Sequence, residues 1–175
     1  MKAEFIPYND SHLDIFTKMN IEYMSELCDD ILRIYDFDMR PGFDPTLPQG
    51  VKNNIPNYTN LKPPEGNLYL IKTDQGIAGM GAVHKLNEHV GEIKRMYNLP
   101  EFRGNGFGRQ MFNVLMEEGK KWGCSSFKLD TPKWAKAAQH IYKTSGFVER
   151  EIYPESEIPP IIQPYGMWME KLGEE

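Results

Sequence analysis

The segment LPEFRGNGFGR, residues 99–109, carries three glycines at alternate positions directly before a stretch with helical spacing. Gly104, Gly106 and Gly108 allow a sharp backbone turn, because glycine adopts positive φ angles without steric cost. Successive N–H groups can then point outward at the helix start, where they and the helix dipole bind phosphate. A flexible turn would have the same composition. The segment therefore predicts either a phosphate-binding loop or a plain turn.

Two other glycine-rich phosphate sites do not fit this segment. No Lys-Ser or Lys-Thr follows the glycines, which excludes a P-loop. The strand before the glycines ends an antiparallel meander and does not open a parallel βαβ unit, which disfavours a dinucleotide fingerprint.

Upstream of the loop, apolar residues and turn signals predict three strands in an antiparallel meander. The predicted strands are Asn67–Thr73, Ile77–Leu86 and Val90–Leu99. Downstream, helical spacing predicts helices over Phe107–Trp122 and Ala135–Thr144. Further strands are expected at Phe127–Asp130, Phe147–Tyr153 and Tyr165–Leu172.

The first third of the chain is predicted less uniformly. Residues 2–8 indicate an edge strand, and Ser11–Asp14 resembles a capping box at a helix start. Apolar spacing up to Tyr35 predicts two short helices that break near Asn20. Six prolines between Asp36 and Gly66 then predict a long ordered loop or a mobile lid.

This order of elements predicts an α/β (α+β) fold. Its central sheet is expected to be mixed and mostly antiparallel, with about six to seven strands flanked by four helices. Residues 1–175 contain neither an internal repeat nor a linker, so they are expected to form one domain.

Charge is distributed unevenly along the chain. The net charge is -5, and residues 1–66 carry 11 acidic and 6 basic side chains, which accounts for all of it. Residues 90–145 carry 10 basic and 5 acidic side chains, which suits a polyanionic ligand. The negative net charge of the whole chain argues against nucleic-acid binding.

The sequence also indicates where the protein is located and whether it binds a metal. The N-terminal residues lack the apolar length of a signal peptide, and no run is long enough to span a membrane. A soluble, cytoplasmic protein without a membrane partner is expected. The two cysteines and four histidines lack the spacing of a zinc site, so reduced thiols and no metal are expected.

The glycine loop resembles the signature of the GCN5-related N-acetyltransferase (GNAT) family, Arg/Gln-x-x-Gly-x-Gly/Ala, through Arg103, Gly106 and Gly108. Other segments look like one bacterial subgroup of that family: residues 92–97, 129–131, 138–147 and 167–172. The resemblance implies the GNAT (acyl-CoA N-acyltransferase) fold. It also implies acetyl transfer from acetyl-coenzyme A (acetyl-CoA) to a small-molecule or protein amine.

The resemblance further implies which residues bind the coenzyme. In the family, the strand before the loop splays at a bulge, and its backbone bonds the pantetheine arm. The corresponding residues are Met96, Tyr97, Asn98 and Leu99. The pyrophosphate would be held by N–H groups of Arg103, Gly104, Asn105, Gly106, Phe107, Gly108 and Arg109. For Tyr97 and Leu99, strand packing is the alternative role. Ala135 replaces an asparagine that contacts the coenzyme in many members.

Two residues are catalytic candidates on the same resemblance. Tyr142 stands where many members place a general acid that protonates the leaving thiolate, and the alternative is a core aromatic. Glu92 precedes Arg103 by 11 residues, the spacing of a general-base glutamate in the protein-acetylating branch. The alternative for Glu92 is a strand carboxylate paired with Lys94 or Arg95. Asp130 is expected to order the loop that follows it rather than to do chemistry.

The acceptor side is predicted from charge. In this fold the N-terminal helices and the following loop flank the acceptor, and Asp36 and Asp38 lie there beside aromatic residues. They predict a cationic amine acceptor, unless they only cap helices and solvate a loop. Because the family often dimerises, a homodimer is expected. A catalytically idle acyl-CoA sensor or interaction module is the alternative function.

Overall fold

A computed structural model describes residues 1–173, and their strands form one seven-stranded sheet. The strands are β1 (Ala3–Pro7), β2 (Gly66–Thr73), β3 (Gly76–Lys85), β4 (Val90–Asn98), β5 (Ser126–Pro132), β6 (Val148–Arg150) and β7 (Gly166–Lys171). Their order across the sheet is β1-β2-β3-β4-β5-β7-β6. Only β4 and β5 pair in parallel. The predicted mixed, mostly antiparallel sheet is confirmed.

Helices cover both faces of this sheet. They are α1 (Leu13–Tyr35), α2 (Leu47–Asn54), the single turn α3 (Pro56–Thr59), α4 (Phe107–Lys121) and α5 (Lys136–Thr144). Helix α1 contacts Met80 of β3 through Asn20. Helix α4 packs Met111 and Leu115 against the neighbouring Gly81, where a Cβ atom would come within 2.8 Å of Met111. Because successive strand residues point to opposite faces, α1 and α4 lie on opposite sides of the sheet.

The predicted break of the first helix near Asn20 is wrong, because α1 runs unbroken for 23 residues. Asn20 is buried, and its Nδ2 donates to the Phe16 carbonyl at 2.9 Å and to Met80 Sδ at 3.3 Å. The helix start also differs from the prediction. Asn9 and His12 form the capping box, on a 3-10 turn that precedes α1.

The proline-rich segment 36–66 is folded onto the core. It contains α2 and α3, and Val51, Ile55 and Tyr58 are buried. Pro48 and Pro56 stand in first helical turns, where a missing N–H costs nothing. The predicted long loop or lid is therefore wrong for α2 and α3, because prolines in a first helical turn are compatible with a helix.

Two further sequence expectations concern thiols and membranes. Cys28 and Cys124 are both buried and free. Among the helices described for residues 1–173, none has the length and apolar character needed to cross a membrane.

Candidate active site

The sheet opens between β4 and β5. The two strands pair only from Val90–Ile93 with Ser126–Leu129. Beyond these pairs, β4 continues to Asn98 and β5 continues to Pro132. No backbone ladder joins the two strands over these residues. The edge of β4 over residues 94–98 therefore faces the opening without a strand partner.

A bulge in β4 accompanies this opening. The register between β3 and β4 shifts after Ala82 and Lys94 have paired, so β4 carries one extra residue. Arg95 lies at the bulge with a left-handed φ of 55°, which is uncommon for a non-glycine residue. Its guanidinium stacks 4.4 Å from the Tyr58 ring centroid and 5.9 Å from that of Tyr23. These cation–π contacts hold the strained residue in place.

The glycine loop leads into α4 with left-handed backbone at two glycines. Gly104 has a φ of 81°, and Gly106 has a φ of 77° at the N-cap of α4. Among the described residues, five N–H groups of the loop and first helical turn have no hydrogen-bond partner: those of Gly104, Asn105, Gly106, Phe107 and Arg109. Such a cluster of free donors at a helix N-terminus binds anions.

The two remaining N–H groups of the predicted cradle are used inside the protein. Arg103 N–H donates to the Pro100 carbonyl at 3.2 Å. Gly108 N–H donates to Asn98 Oδ1 at 3.2 Å, and the Asn98 amide in turn donates to the Tyr97 carbonyl. The Asn98 side chain thus fixes the end of β4 to the start of α4.

Both arginine side chains of the loop are also engaged. Arg103 Nε donates to the Asn98 carbonyl at 3.0 Å, and its Nη2 pairs with Glu26 of α1 at 2.7 Å. Arg109 Nη2 donates to Thr144 Oγ1 of α5 at 2.7 Å. The side chains therefore anchor the loop to two helices, while its free backbone groups remain available.

Tyr142 of α5 is buried against α4 and the residue before β6. Its ring packs against Phe112 at 5.5 Å and Phe147 at 6.3 Å between centroids. Within the described part of the chain its hydroxyl has no hydrogen-bond partner. Burial, with the charges of Tyr23 and Asp130, raises the pKa of Tyr142 well above its ordinary value. The phenol therefore stays protonated at neutral pH.

Glu92 lies in the sheet with 1% of its surface exposed, and both carboxylate oxygens are occupied. Oε2 lies 2.6 Å from His84 Nε2 and 3.5 Å from Lys94 Nζ, and Oε1 accepts from the Tyr153 hydroxyl. Burial acts to raise the pKa of Glu92, but the His84 hydrogen bond, the Lys94 charge and the Tyr153 hydrogen bond outweigh it, and the pKa is lowered. This geometry favours the ion-pair alternative over the general-base hypothesis.

Asp130 lies on β5 one residue beyond the last pair with β4. The loop that follows is ordered by Gln139 instead, whose Nε2 donates to the carbonyls of Pro132 at 2.9 Å and Lys133 at 3.0 Å. In residues 1–173, no hydrogen bond or ion pair reaches the Asp130 carboxylate. The expectation that Asp130 orders this loop has no supporting contact.

Asp29, Asp36 and Asp38 form an acidic rim at the end of α1, and Arg40 neutralises part of its charge. Arg40 pairs with Asp38 at 3.0 Å and also with Asp29. Asp36 caps α1 in the left-handed conformation with a φ of 54°, and none of the ion pairs found within residues 1–173 includes it. Aromatic rings cluster next to it, with Tyr35 and Phe37 packed against Tyr165 at 4.7 and 5.6 Å.

Two other residues belong to α5 or to its start. His140 is exposed. Ala135 is the N-cap of α5 and supplies no side-chain cap.

Comparison with known proteins identifies the family. Residues 28–147 match the family model described as "Acetyltransferase (GNAT) family". The chain belongs to the GNAT family. An uncharacterised N-acetyltransferase of Schizosaccharomyces pombe is 30% identical over 153 residues, which cover 86% of this chain and 85% of that protein. The predicted class of enzyme, an acetyl-CoA-dependent N-acetyltransferase, is thereby confirmed, whereas the bacterial subgroup stays a prediction.

Solved GNAT structures share the fold. The PaiA N-acetyltransferase of Thermoplasma acidophilum in complex with coenzyme A matches with a TM-score of 0.70 and 14% identity, over 98% of this chain and 99% of that one. The spermidine N-acetyltransferase of Vibrio cholerae with coenzyme A and spermine matches with a TM-score of 0.65 and 16% identity, over 98% and 95%.

The burial of the Glu92 carboxylate leads to a prediction about the stability of this GNAT enzyme. We expect Glu92→Gln to lower the free energy of unfolding at neutral pH by roughly 3 kcal/mol, because it removes a buried carboxylate that pairs with His84 and Lys94 and accepts from the Tyr153 hydroxyl. The folded pKa of Glu92 is lowered from 4.5. Its stabilisation is therefore complete above that value and is lost as pH falls through the folded pKa. Urea unfolding at several pH values measures both effects.

Glu155→Gln is the matched control for this measurement. Glu155 pairs with Lys128 at 3.4 Å but is 40% exposed, so its loss should cost less than about 1 kcal/mol. Equal effects of the two substitutions would contradict a stabilising role for Glu92. Loss of the acidic limb of the pH–rate profile in Glu92→Gln would instead support the general-base hypothesis.

Proposed function

We propose that this GNAT enzyme transfers the acetyl group of acetyl-CoA to a primary amine by direct attack through a tetrahedral intermediate. The observation that carries the proposal is the opening between β4 and β5, which leads to the free N–H groups at the start of α4. An extended amide-containing arm can pair with a free strand edge, and a pyrophosphate can bind the free donors. The arrangement suits a molecule with both parts.

We assign the pantetheine contacts chiefly to the backbone of Met96, because the Tyr97 carbonyl already accepts from the Asn98 amide. The Asn98 carbonyl already accepts from Arg103, and Leu99 N–H donates to the Ala78 carbonyl at 3.0 Å. The pyrophosphate would meet the N–H groups of residues 104–107 and of Arg109. This differs from the full sequence-based set, because the N–H groups of Arg103 and Gly108 have internal partners.

The proposed reaction begins with a neutral amine. Its nitrogen lone pair forms the new C–N bond at the thioester carbon, and the carbonyl π electrons move to oxygen. Collapse of this intermediate breaks the C–S bond, and the departing sulfur takes the proton of the Tyr142 hydroxyl. The nitrogen then loses its remaining extra proton, which restores the phenol. Tyr142 suits this role because its proton is retained at neutral pH and has no acceptor inside the described chain.

The experiment is thiol release from acetyl-CoA with a panel of amines, with mass spectrometry of the product. We would include spermidine, lysine, a peptide with N-terminal alanine, and glutamate. Acetylated product from at least one amine supports the proposal. Tight binding of acetyl-CoA without thiol release on any amine would support the acyl-CoA sensor instead.

We also propose a cationic acceptor, on the basis of Asp36, Asp38 and the adjacent aromatic rings. Coulomb attraction to the rim is screened by salt, so kcat/KM for a cationic amine should fall as ionic strength rises. Asp36→Asn with Asp38→Asn should raise the acceptor KM several-fold and leave the coenzyme Kd unchanged. Steady-state kinetics with lysine against glutamate as acceptor measures this. Salt-independent turnover, or preference for glutamate, would contradict the proposal.

Because Arg40 neutralises Asp38, the separate effects of Asp36 and Asp38 on the acceptor KM can be compared. Asp36, outside the ion pairs found within residues 1–173, should account for more of the KM change than Asp38, which is already paired. The expected homodimer, the cytoplasmic location and the single domain over residues 1–175 stay predictions.

A further inference from the structure

Tyr58, on the single-turn helix α3, packs against the bulge of β4 through the Arg95 guanidinium. We propose that Tyr58 and Arg95 are positioning residues for the coenzyme. The Tyr58 ring holds Arg95 in its left-handed conformation, and that conformation determines how the end of β4 is presented to the opening. This role rests on the proposed function of the opening as the coenzyme site. It assigns part of that site to the proline-rich segment, which does not border the phosphate-binding loop in sequence.

The bulge changes which face of the sheet each later residue of β4 occupies. Two residues, Arg95 and Met96, lie opposite the single residue Gly81 of β3. On either side of the bulge, Lys94 and Tyr97 pair with residues of β3 that are two positions apart and therefore share a face. Directly paired residues also share a face, so Lys94 and Tyr97 lie on the same one. In a regular strand, residues three positions apart would lie on opposite faces.

The contacts at the end of β4 depend on this change of face. Tyr97 points towards α1, where its hydroxyl donates to Glu26 Oε1 at 2.9 Å. Asn98 points towards α4, where its side-chain oxygen accepts from Gly108 N–H at 3.2 Å. Without the bulge, these two side chains would exchange faces and both contacts would be lost. The bulge therefore aligns the backbone of Met96 with the free N–H groups at the start of α4.

Aromatic rings stabilise the left-handed conformation of Arg95. A φ of 55° is disfavoured for an arginine, roughly tenfold in population relative to extended backbone. The guanidinium lies 4.4 Å from the centroid of the Tyr58 ring, a cation–π distance, and 5.9 Å from that of Tyr23. Tyr58 is 7% exposed, and Val51 and Ile55 of the same segment are buried beside it in the core. The ring is therefore a fixed support for the guanidinium.

Loss of this support should reduce the fraction of protein that is ready to bind the coenzyme. Strained backbone persists only where the surrounding structure enforces it. Without the Tyr58 ring, Arg95 would relax towards extended backbone and the bulge would no longer be held. The apparent Kd of a ligand rises by the inverse of the binding-competent fraction. A clamp that keeps one conformation populated therefore acts on the coenzyme Kd without touching the coenzyme.

The first test compares substitutions at residue 95 by calorimetry with acetyl-CoA. Arg95→Gly should bind within about threefold of the wild type, because glycine adopts positive φ without help from a side chain. Arg95→Val removes the guanidinium and strongly disfavours positive φ, so the coenzyme Kd should rise roughly tenfold. If Arg95→Gly weakens binding as much as Arg95→Val, then the guanidinium itself is required and the positioning role is overturned.

The second test removes the ring and then restores the backbone. Tyr58→Leu should raise the coenzyme Kd roughly tenfold, whereas Tyr58→Phe keeps the ring and should bind like the wild type. Adding Arg95→Gly to Tyr58→Leu should recover most of the affinity. This rescue separates positioning from lost packing, because glycine at residue 95 does not replace the core contacts of Tyr58. Wild-type affinity in Tyr58→Leu, or no rescue by Arg95→Gly, overturns the proposal. If Tyr58→Leu does not fold, the series at residue 95 decides.

A third measurement is independent of the coenzyme. Backbone NMR chemical shifts of residues 94–98 report φ and ψ in the coenzyme-free protein. Left-handed values at residue 95 are expected in the wild type and in Tyr58→Phe, and a shift towards extended values is expected in Tyr58→Leu. Extended backbone at Arg95 in the wild type, or unchanged left-handed backbone in Tyr58→Leu, contradicts a clamp by the ring.

These results distinguish the clamp from the proposed function. Wild-type protein that binds acetyl-CoA but acetylates no amine would refute the transferase activity in that panel and leave the Kd comparisons intact. Normal turnover with equal coenzyme Kd values in the wild type, Arg95→Val and Tyr58→Leu would refute the clamp alone. Wild-type protein that does not bind acetyl-CoA would refute both.

Discussion

Replacing Tyr142 with phenylalanine should lower kcat about 10²-fold while the Kd of acetyl-CoA stays unchanged, because the hydroxyl acts only when the thiolate departs. The ring would keep its packing against Phe112 and Phe147, so folding should be preserved. Stopped-flow or steady-state kinetics with the best amine gives kcat. Calorimetry gives the coenzyme Kd.

Tyr69→Phe is the matched control. Tyr69 is also buried, with 9% of its surface exposed and its pKa raised to about 12 by burial and by Glu118, but it lies on β2 near α4. This variant should turn over like the wild type. If Tyr142→Phe also retains the wild-type kcat, then Tyr142 is a core aromatic and water protonates the thiolate.

Gly106→Val should weaken acetyl-CoA binding about 10²-fold, the equivalent of losing one or two hydrogen bonds to a charged phosphate. Gly106 is the N-cap of α4, so a branched side chain there stands beside the free N–H groups. The left-handed φ of 77° also makes valine strained, at a cost of about 1–2 kcal/mol in folding stability. Calorimetry and thermal unfolding separate the two effects.

Gly123→Val controls for the backbone strain. Gly123 follows the opposite end of α4 with a φ of 91°, and a Cβ there would meet its nearest neighbour only at 3.9 Å. It should lose similar stability and bind acetyl-CoA normally. Gly108 is expected to matter less than Gly106, since a Cβ at Gly108 makes an ordinary 3.5 Å contact with Ile141. Wild-type affinity in folded Gly106→Val would refute the phosphate cradle.

The parts of this enzyme that sequence analysis predicted well are those encoded locally. The alternating glycines predicted a turn with outward N–H groups, and the structure has left-handed backbone at Gly104 and Gly106. The strands of the meander follow from periodicity and turn residues, and their bounds differ from prediction by one residue or so. Local chemistry was sufficient in both cases.

The sequence-based predictions fail at residues whose conformation is determined by tertiary contacts. Asn20 has low helix propensity, but a buried helix satisfies its amide through Phe16 and Met80. The strained conformation of Arg95 depends on aromatic rings from two helices that are distant in sequence. No sequence pattern near residue 95 therefore predicts it.

The opening in the sheet also affects how the protein holds together. Strands β1–β4 and strands β5–β7 form two half-sheets that share a ladder of only four residue pairs, Val90–Ile93 with Ser126–Leu129. Acetyl-CoA bound as we propose would contact the free edge of β4 in the gap between them. By mass action, acetyl-CoA at a hundredfold excess over its Kd adds about 2.7 kcal/mol to the free energy of unfolding. At low acetyl-CoA concentration the enzyme would therefore be less stable against unfolding as well as inactive.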